Sequence, residues 1–267
     1  MVTRSKEKKR DDREFDTTSL HEKMHGRNLH RDYTAHFFRW NFARRFINKT
    51  SNVLEIGCGV EKPLAHILSR NALQQVNEYV GVDLNPLTEN GYGRRYIFHG
   101  EFNFIKDWKK LKRTQDDGFD VVLHLEVIEH MAVPHGRALL KGCFELLKPG
   151  GVMLMSTPCY DGHRHAANHI HEYTVEELQK AVIKAGFTVE RRFGTFMDVR
   201  HITKVKNFDH LPADTPYDDS EVAAAVQVVH DLLHGYYDRD ALSCFFAPLF
   251  PDHARNNLWV CRKPGGA

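Results

Sequence analysis

Residues 53–68 read VLEIGCGVEKPLAHIL, an apolar run that stops at Gly57 and Gly59 and resumes at helical spacing after Pro63. A strand that ends in two glycines and leads into a helix brings backbone close to a ligand. Glycine permits the tight turn and removes the Cβ that would hold the ligand away. Pro63 suits the first turn of the helix, whose N-terminus presents partial positive charge to the same place. Lys62 stands at the last glycine position of a GxGxxG fingerprint, and no GK[ST] follows. The full dinucleotide motif and the P-loop are therefore both absent.

The next signal is Asp83 in YVGVDLNP, 24 residues after Gly59. An acid at the end of the second strand meets a ribose diol, each carboxylate oxygen accepting from one hydroxyl. Glycines and acid together predict a nucleoside-type ligand; a helix cap before Pro86 is the other reading of Asp83. In FHGEFNF, Glu101 and Phe102 are placed to meet an adenine amino group and ring face.

Outward from this unit, strand-like and helix-like stretches alternate. NVLEIGC, EYVGVDLN, RYIFHGEF, FDVVLHLEVIEHM, PGGVMLMSTP, TVERRFGTFM and NNLWVCRK read as strands, the fourth running on into a loop or helix. EKPLAHILSRN, RALLKGCFELLK and TVEELQKAVIKAGF read as helices. Such alternation predicts βαβ units, an α/β fold and a mainly parallel sheet. Pro149-Gly150-Gly151 reads as a turn. Thr174 and Glu177 form a capping box, and Gly186 stops that helix.

Residues 1–16 are polar and charged and read as a disordered tail, leaving 17–267 as a single domain. Residues 17–48 read as N-terminal helices, where His30, Tyr33, His36, Phe37 and Trp40 are placed to roof a site or simply to cover the sheet. Residues 197–256 read as an insertion before the last strand, containing the amphipathic EVAAAVQVVHDLLHGYY: a substrate-selecting lid, or a peripheral packing helix.

Composition narrows the class. The chain has 267 residues, 42% hydrophobic and 27% charged, with a net charge of +2. Such a balance argues against a chain-wide nucleic-acid field, though not against a local patch. Five cysteines without a CxxC pair suit a reducing compartment and provide no disulfide or zinc-ribbon framework. No apolar stretch approaches the ~18 residues of a membrane span, and the N-terminus lacks a signal-peptide core. These features predict a soluble, cytoplasmic protein with no membrane partner. Eighteen histidines make metal or proton chemistry worth testing.

VLEIGCG, YVGVDLNP, FDVVLHLEVIEHM and LLKPGGVMLMSTP, in that order, resemble the class I S-adenosylmethionine-dependent methyltransferases over residues 50–196 and the final strand, most of all the ubiquinone-pathway O-methyltransferases. The resemblance implies a Rossmann-like seven-stranded, mostly parallel sheet with a reversed last strand. It also implies Glu55, Gly57 and Gly59 near the methionine part of the cofactor and Asp83 on its ribose. Glu61 departs from the family's third glycine, which leaves a catalytically inactive cofactor-binding module as one alternative.

Glu126, Glu129 and His130 in EVIEH have i, i+3, i+4 spacing, which would put them on one helical face. Two carboxylates and an imidazole suit Mg²⁺ or Mn²⁺, and HRHAANHIHEYT supplies His163, His165, His169 and His171 for a further ligand. ExxEH, STP and NH…EYT also resemble elements of the small-RNA 3′-terminal 2′-O-methyltransferases, which implies His169 as the second histidine ligand. The other reading makes His130 and His169 lining residues, one acting as general base. The expected activity is methylation of an oxygen or nitrogen of a small molecule or nucleotide; metal-assisted methylation of nucleic acid is the alternative.

Overall fold

The computed structural model describes residues 31–70, 76–88, 91–112, 118–160, 166–197, 251 and 254–265. Every residue of the first strand, β1 (Asn52–Ile56), is buried, as a central parallel strand covered on both faces must be. It lies in a seven-stranded sheet of order β3-β2-β1-β4-β5-β7-β6. The other strands are β2 (Glu78–Val82), β3 (Tyr96–His99), β4 (Phe119–Leu125), β5 (Leu147–Pro158), β6 (Thr188–Met197) and β7 (Ala254–Arg262). Strands β1 to β5 pair in parallel, and β7 runs antiparallel to both of its neighbours. The expected reversed last strand is present.

Alternate residues feed two apolar layers, because successive side chains on a strand point to opposite faces. Leu54, Val80, Val122 and Met153 pack with Leu139, Leu140 and Cys143 of helix α4 (Val133–Leu146) and Leu178 and Val182 of α5 (Val175–Lys184). On the other face Val53, Tyr79, Leu123 and Leu154 pack with Trp40 and Ala43 of α1 (Arg31–Ala43) and Leu64 and Leu68 of α2 (Pro63–Arg70). A fifth helical segment, α3 (Phe104–Asp107), leads into a 3-10 turn. The Thr174–Glu177 capping box is formed in both directions. Gly186 has φ +105°, and a Cβ there would meet the Phe144 ring at 2.7 Å.

Pro149-Gly150-Gly151 is not a turn before the strand. It lies inside β5, where pairing jumps from Phe119↔Leu147 to Val121↔Val152. The extra residues are carried as a bulge, with Gly150 at φ +78°. Gly150 donates to the Lys263 carbonyl and Lys263 to that of Gly151, so the antiparallel chain beyond β7 satisfies the bulged backbone.

Of the N-terminal segment, α1 and a 3-10 turn (Arg44–Phe46) are described; the tail, His30 and most of the 197–256 insertion lie outside the described residues. Phe42 of α1 meets Phe193 of β6 with ring centroids 4.9 Å apart. Among the described residues no helix is long and apolar enough to cross a membrane.

His124, in the middle of β4, is fully buried and neither ring nitrogen has a hydrogen-bond partner. Burial lowers its pKa to about 3, against an ordinary value of 6.5. Below that value the unfolded chain binds a proton that the folded one refuses, so stability falls as pH drops from 6.5 towards 3. Two pH units of this window correspond to roughly 3 kcal/mol. His124→Leu is expected to be at least as stable as wild type near neutral pH. It should also lose less stability on acidification to about pH 4.5, read by urea unfolding at the two pH values.

Candidate active site

The chain leaves β1 towards β2 and β3 on one side and takes up β4 on the other, which opens a crevice at the carboxyl ends of these strands. Gly57 and Gly59 enter it with φ +70° and +72°. A Cβ on Gly57 would meet Val127 Cγ2 at 2.6 Å, whereas one on Gly59 would meet nothing within 4 Å. Packing against the segment after β4 therefore requires the first glycine, and the second presents bare backbone to open space. The turn closes at Lys62, itself at φ +48°. Its N–H donates to the Gly59 carbonyl at 3.3 Å, and its ammonium folds onto the Val60 carbonyl at 2.9 Å, 5.2 Å from the Phe98 ring centroid. Glu61 is exposed, so the loop completes its turn without a third glycine.

Asp83 is held at the lip of the crevice. Its Oδ2 accepts the Gly59 N–H at 2.9 Å, and its Oδ1 accepts the Asn85 N–H at 2.9 Å. Phe102 donates to the Asp83 carbonyl and Glu101, at φ +52°, to that of Asn85. Gly59, Asp83, Glu101 and Phe102 are thus tied into one edge. The buried carboxyl of Glu55 accepts from the Tyr79 hydroxyl. Burial raises its pKa to about 8, with the Tyr79 hydrogen bond opposing and the Asp83 charge adding to the rise. The exposed Val60 and Leu84, directly after the second glycine and the acid, also flank the crevice.

A second polar group occupies the ends of β4 and β5. Glu126, Glu129 and His130 do not share a helical face. The strand ends at Leu125, Glu126 takes φ +58°, and Ile128–His130 is a single 3-10 turn. Ser156 and Thr157, adjacent on β5 and pointing oppositely, separate the two acids. The Ser156 hydroxyl donates to Glu126 Oε1 at 2.6 Å and the Thr157 hydroxyl to Glu129 Oε2 at 3.0 Å.

Glu126 also accepts from Asn256 at 2.6 Å and lies 3.6 Å from the guanidinium of buried Arg39. Arg39 in turn reaches His36 at 2.8 Å and Thr195 at 3.3 Å. Burial by itself would raise the Glu126 pKa; Arg39, His36 and the Ser156 and Asn256 hydrogen bonds outweigh it, holding the carboxyl below its ordinary value. For Glu129, burial and then the Glu126 charge push the pKa well up. His36, also facing Arg39, is lowered to about 3, by burial first.

Glu129 is fully buried and its Oε1 has no hydrogen-bond partner. His130 Nε2 lies 4.0 Å from that oxygen, and the His130 and His169 rings meet edge to face at 4.9 Å. One donor atom from each of Glu129, His130 and His169 lies within 4.8 Å of the others. Glu126 stands outside this group, its oxygens taken by Ser156, Asn256 and Arg39. The expected four-ligand set is thereby reduced to one carboxylate and two imidazoles, a donor set that moves away from Mg²⁺ and towards Mn²⁺ and later transition ions. His171 faces Tyr173 at 4.4 Å, and His163 and His165 lie outside the described residues.

Fold, glycine loop and acid at the second strand define a class I S-adenosylmethionine-dependent methyltransferase. The sequence profile of the methyltransferase-domain family matches residues 27–192, and the chain belongs to that family. It is 30% identical over 199 residues to a probable S-adenosylmethionine-dependent methyltransferase of Mycolicibacterium smegmatis, covering 67% of this chain and 72% of that one. It is 32% identical over 161 residues to the ubiquinone biosynthesis O-methyltransferase of Psychrobacter arcticus, covering 51% of this chain and 58% of that enzyme. Among solved structures the [4+2]-cyclase SpnF superposes with a TM-score of 0.55 at 16% identity, over 90% of this chain and 84% of that one. That likeness concerns the fold alone, because one fold hosts different chemistries.

Proposed function

We propose that the chain transfers the methyl group of S-adenosylmethionine to an oxygen or nitrogen of a small molecule or nucleotide seated over the ends of β4 and β5. Gly57 and Gly59 give backbone access to the cofactor, Asp83 receives its ribose hydroxyls, and Glu101 and Phe102 frame its adenine. The open space beside Gly59, with the Asp83 carboxylate at its edge, fits such a ligand. Glu55, at the end of β1, lies near the methionine part of the cofactor with Gly57 and Gly59.

The observation that carries the acceptor site is the unpartnered, buried Glu129 Oε1 beside His130 and His169. In the transfer the acceptor lone pair forms the new bond to carbon, while the S–CH₃ electron pair stays on sulfur. A hydroxyl or protonated amine also has to give up a proton, and His130 or His169 is placed to take it. The same three side chains could hold a divalent ion, Mn²⁺ before Mg²⁺, which when bound would polarise an acceptor oxygen. The thiols of buried Cys58, Cys143 and Cys261 form no disulfide, which supports action in a reducing compartment such as the cytoplasm.

The test is transfer of labelled methyl from S-adenosylmethionine into cell extract, with acid-soluble and acid-precipitable products separated. Label in soluble metabolites is expected, and loss of turnover on chelation would assign the metal role. Nuclease-sensitive precipitable label would instead establish the nucleic-acid alternative. Label in neither fraction would leave cofactor binding without transfer.

A further inference from the structure

We propose that Glu172 is a positioning residue for this site. It holds His169 with its proton on Nδ1, so that the Nε2 lone pair faces Glu129 and His130. The inference deepens the reading of Glu129, His130 and His169 as one working group and rests on it.

Three observations carry it. Glu172 Oε1 accepts the Ala166 N–H at 2.9 Å and lies 2.5 Å from His169 Nδ1. A backbone N–H only donates and a carboxylate only accepts, so the proton on the shorter contact belongs to Nδ1. Glu172 is buried, 6% exposed, so bulk water is poorly placed to replace it. The 166–172 segment is also locked onto the turn after β4: Ile170 and His171 both donate to the Glu129 carbonyl, at 2.9 and 3.0 Å. In the same segment the Asn168 carbonyl lies 3.0 Å from His130 Nδ1. A carbonyl only accepts, so His130 carries its proton on Nδ1 as well. Two imidazoles from separate segments thereby meet at one place, a donor atom of each lying within 4.8 Å of the other and of Glu129. Each is oriented through its Nδ1, as is usual for imidazoles that bind metal. One orienting partner is a backbone carbonyl and the other a carboxylate, and only the carboxylate can be removed by substitution.

The experiment uses the full chain labelled with ¹⁵N-histidine at about pH 8.5, where ordinary imidazoles are neutral. Ring-nitrogen shifts are recorded for wild type, Glu172→Gln and Glu172→Ala, and the His169 signals are assigned by their loss in His169→Gln. The wild-type His169 is expected as the Nδ1–H tautomer, giving way to Nε2–H in Glu172→Ala, with Glu172→Gln in between. Mn²⁺ affinity by calorimetry should fall about 10- to 100-fold in Glu172→Ala. A merely structural Glu172 would shift the melting temperature and leave the tautomer alone. An Nε2–H tautomer in wild type, or an unchanged one in Glu172→Ala, overturns the proposal. If the tautomer switches but wild type takes up no Mn²⁺, the positioning role stands and the metal reading fails. Should Glu172→Ala not fold, the Glu172→Gln tautomer decides.

Discussion

Asp83→Ala is expected to weaken S-adenosylhomocysteine binding about 100-fold. Two hydrogen bonds from ribose hydroxyls to an ionised carboxylate contribute about 1.5 kcal/mol each, and about 1.4 kcal/mol is a factor of ten in affinity. The carboxylate is already oriented to receive them. The Gly59 and Asn85 N–H groups fix both of its oxygens at the lip of the crevice, so little ordering is left for the ligand to impose. Asp83→Asn keeps the shape and one acceptor oxygen, and should lose about tenfold. Calorimetric titration reads both variants. Equal affinity in Asp83→Ala and wild type would mean that the ribose is held elsewhere. Because Asp83 also ties down the glycine loop, a melting curve for each variant is needed to separate lost contacts from a loosened loop.

Arg39→Met should destabilise the fold by about 2–3 kcal/mol in urea unfolding. Removing one member of a buried ion pair costs about 3–5 kcal/mol, because the other charge is left uncompensated. Here the figure is smaller: Glu126 retains its hydrogen bonds from Ser156 and Asn256 and its side chain is 20% exposed. Adding Glu126→Gln to Arg39→Met removes the stranded charge and should recover most of the loss. If the two single losses simply add in the double variant, the pair is not coupled, and α1 is held by its apolar face and the Arg39–Thr195 hydrogen bond. The pair matters to function through its position. It fastens α1 over the same strand ends at which the acceptor is proposed to sit, and a loosened α1 should raise KM more than it lowers kcat.

Much of this arrangement is legible in local sequence. The apolar runs of β1, β2 and β4 and the Thr174–Glu177 box carry short-range signals, and the fold contains each of them. The glycine–acid pair is legible too, because a strand end, a tight turn and the next strand end are brought together by a single βαβ unit. The Pro149-Gly150-Gly151 stretch departs from expectation for a reason outside it: a turn-forming sequence is absorbed into a strand when a neighbour, here the chain leaving β7, satisfies its backbone. The expected helical face of Glu126, Glu129 and His130 is absent because i, i+3, i+4 spacing carries meaning only within a helix, and the strand end at Leu125 leaves Glu126 in a left-handed turn.

The sheet, its two apolar faces and the crevice at the first two strand ends are written into the chain locally, since they follow from periodicity and turn chemistry over a few residues. The state of the two acids is not; it exists only once distant segments have packed together. Asn256 reaches Glu126 across 130 residues of chain, and Arg39 reaches Thr195 across 156. No local pattern announces such partners. Yet they make Glu126 a paired anion and leave Glu129 buried beside two histidines, because in a low-dielectric interior the charge of a carboxyl is set by the groups packed against it rather than by its neighbours in sequence.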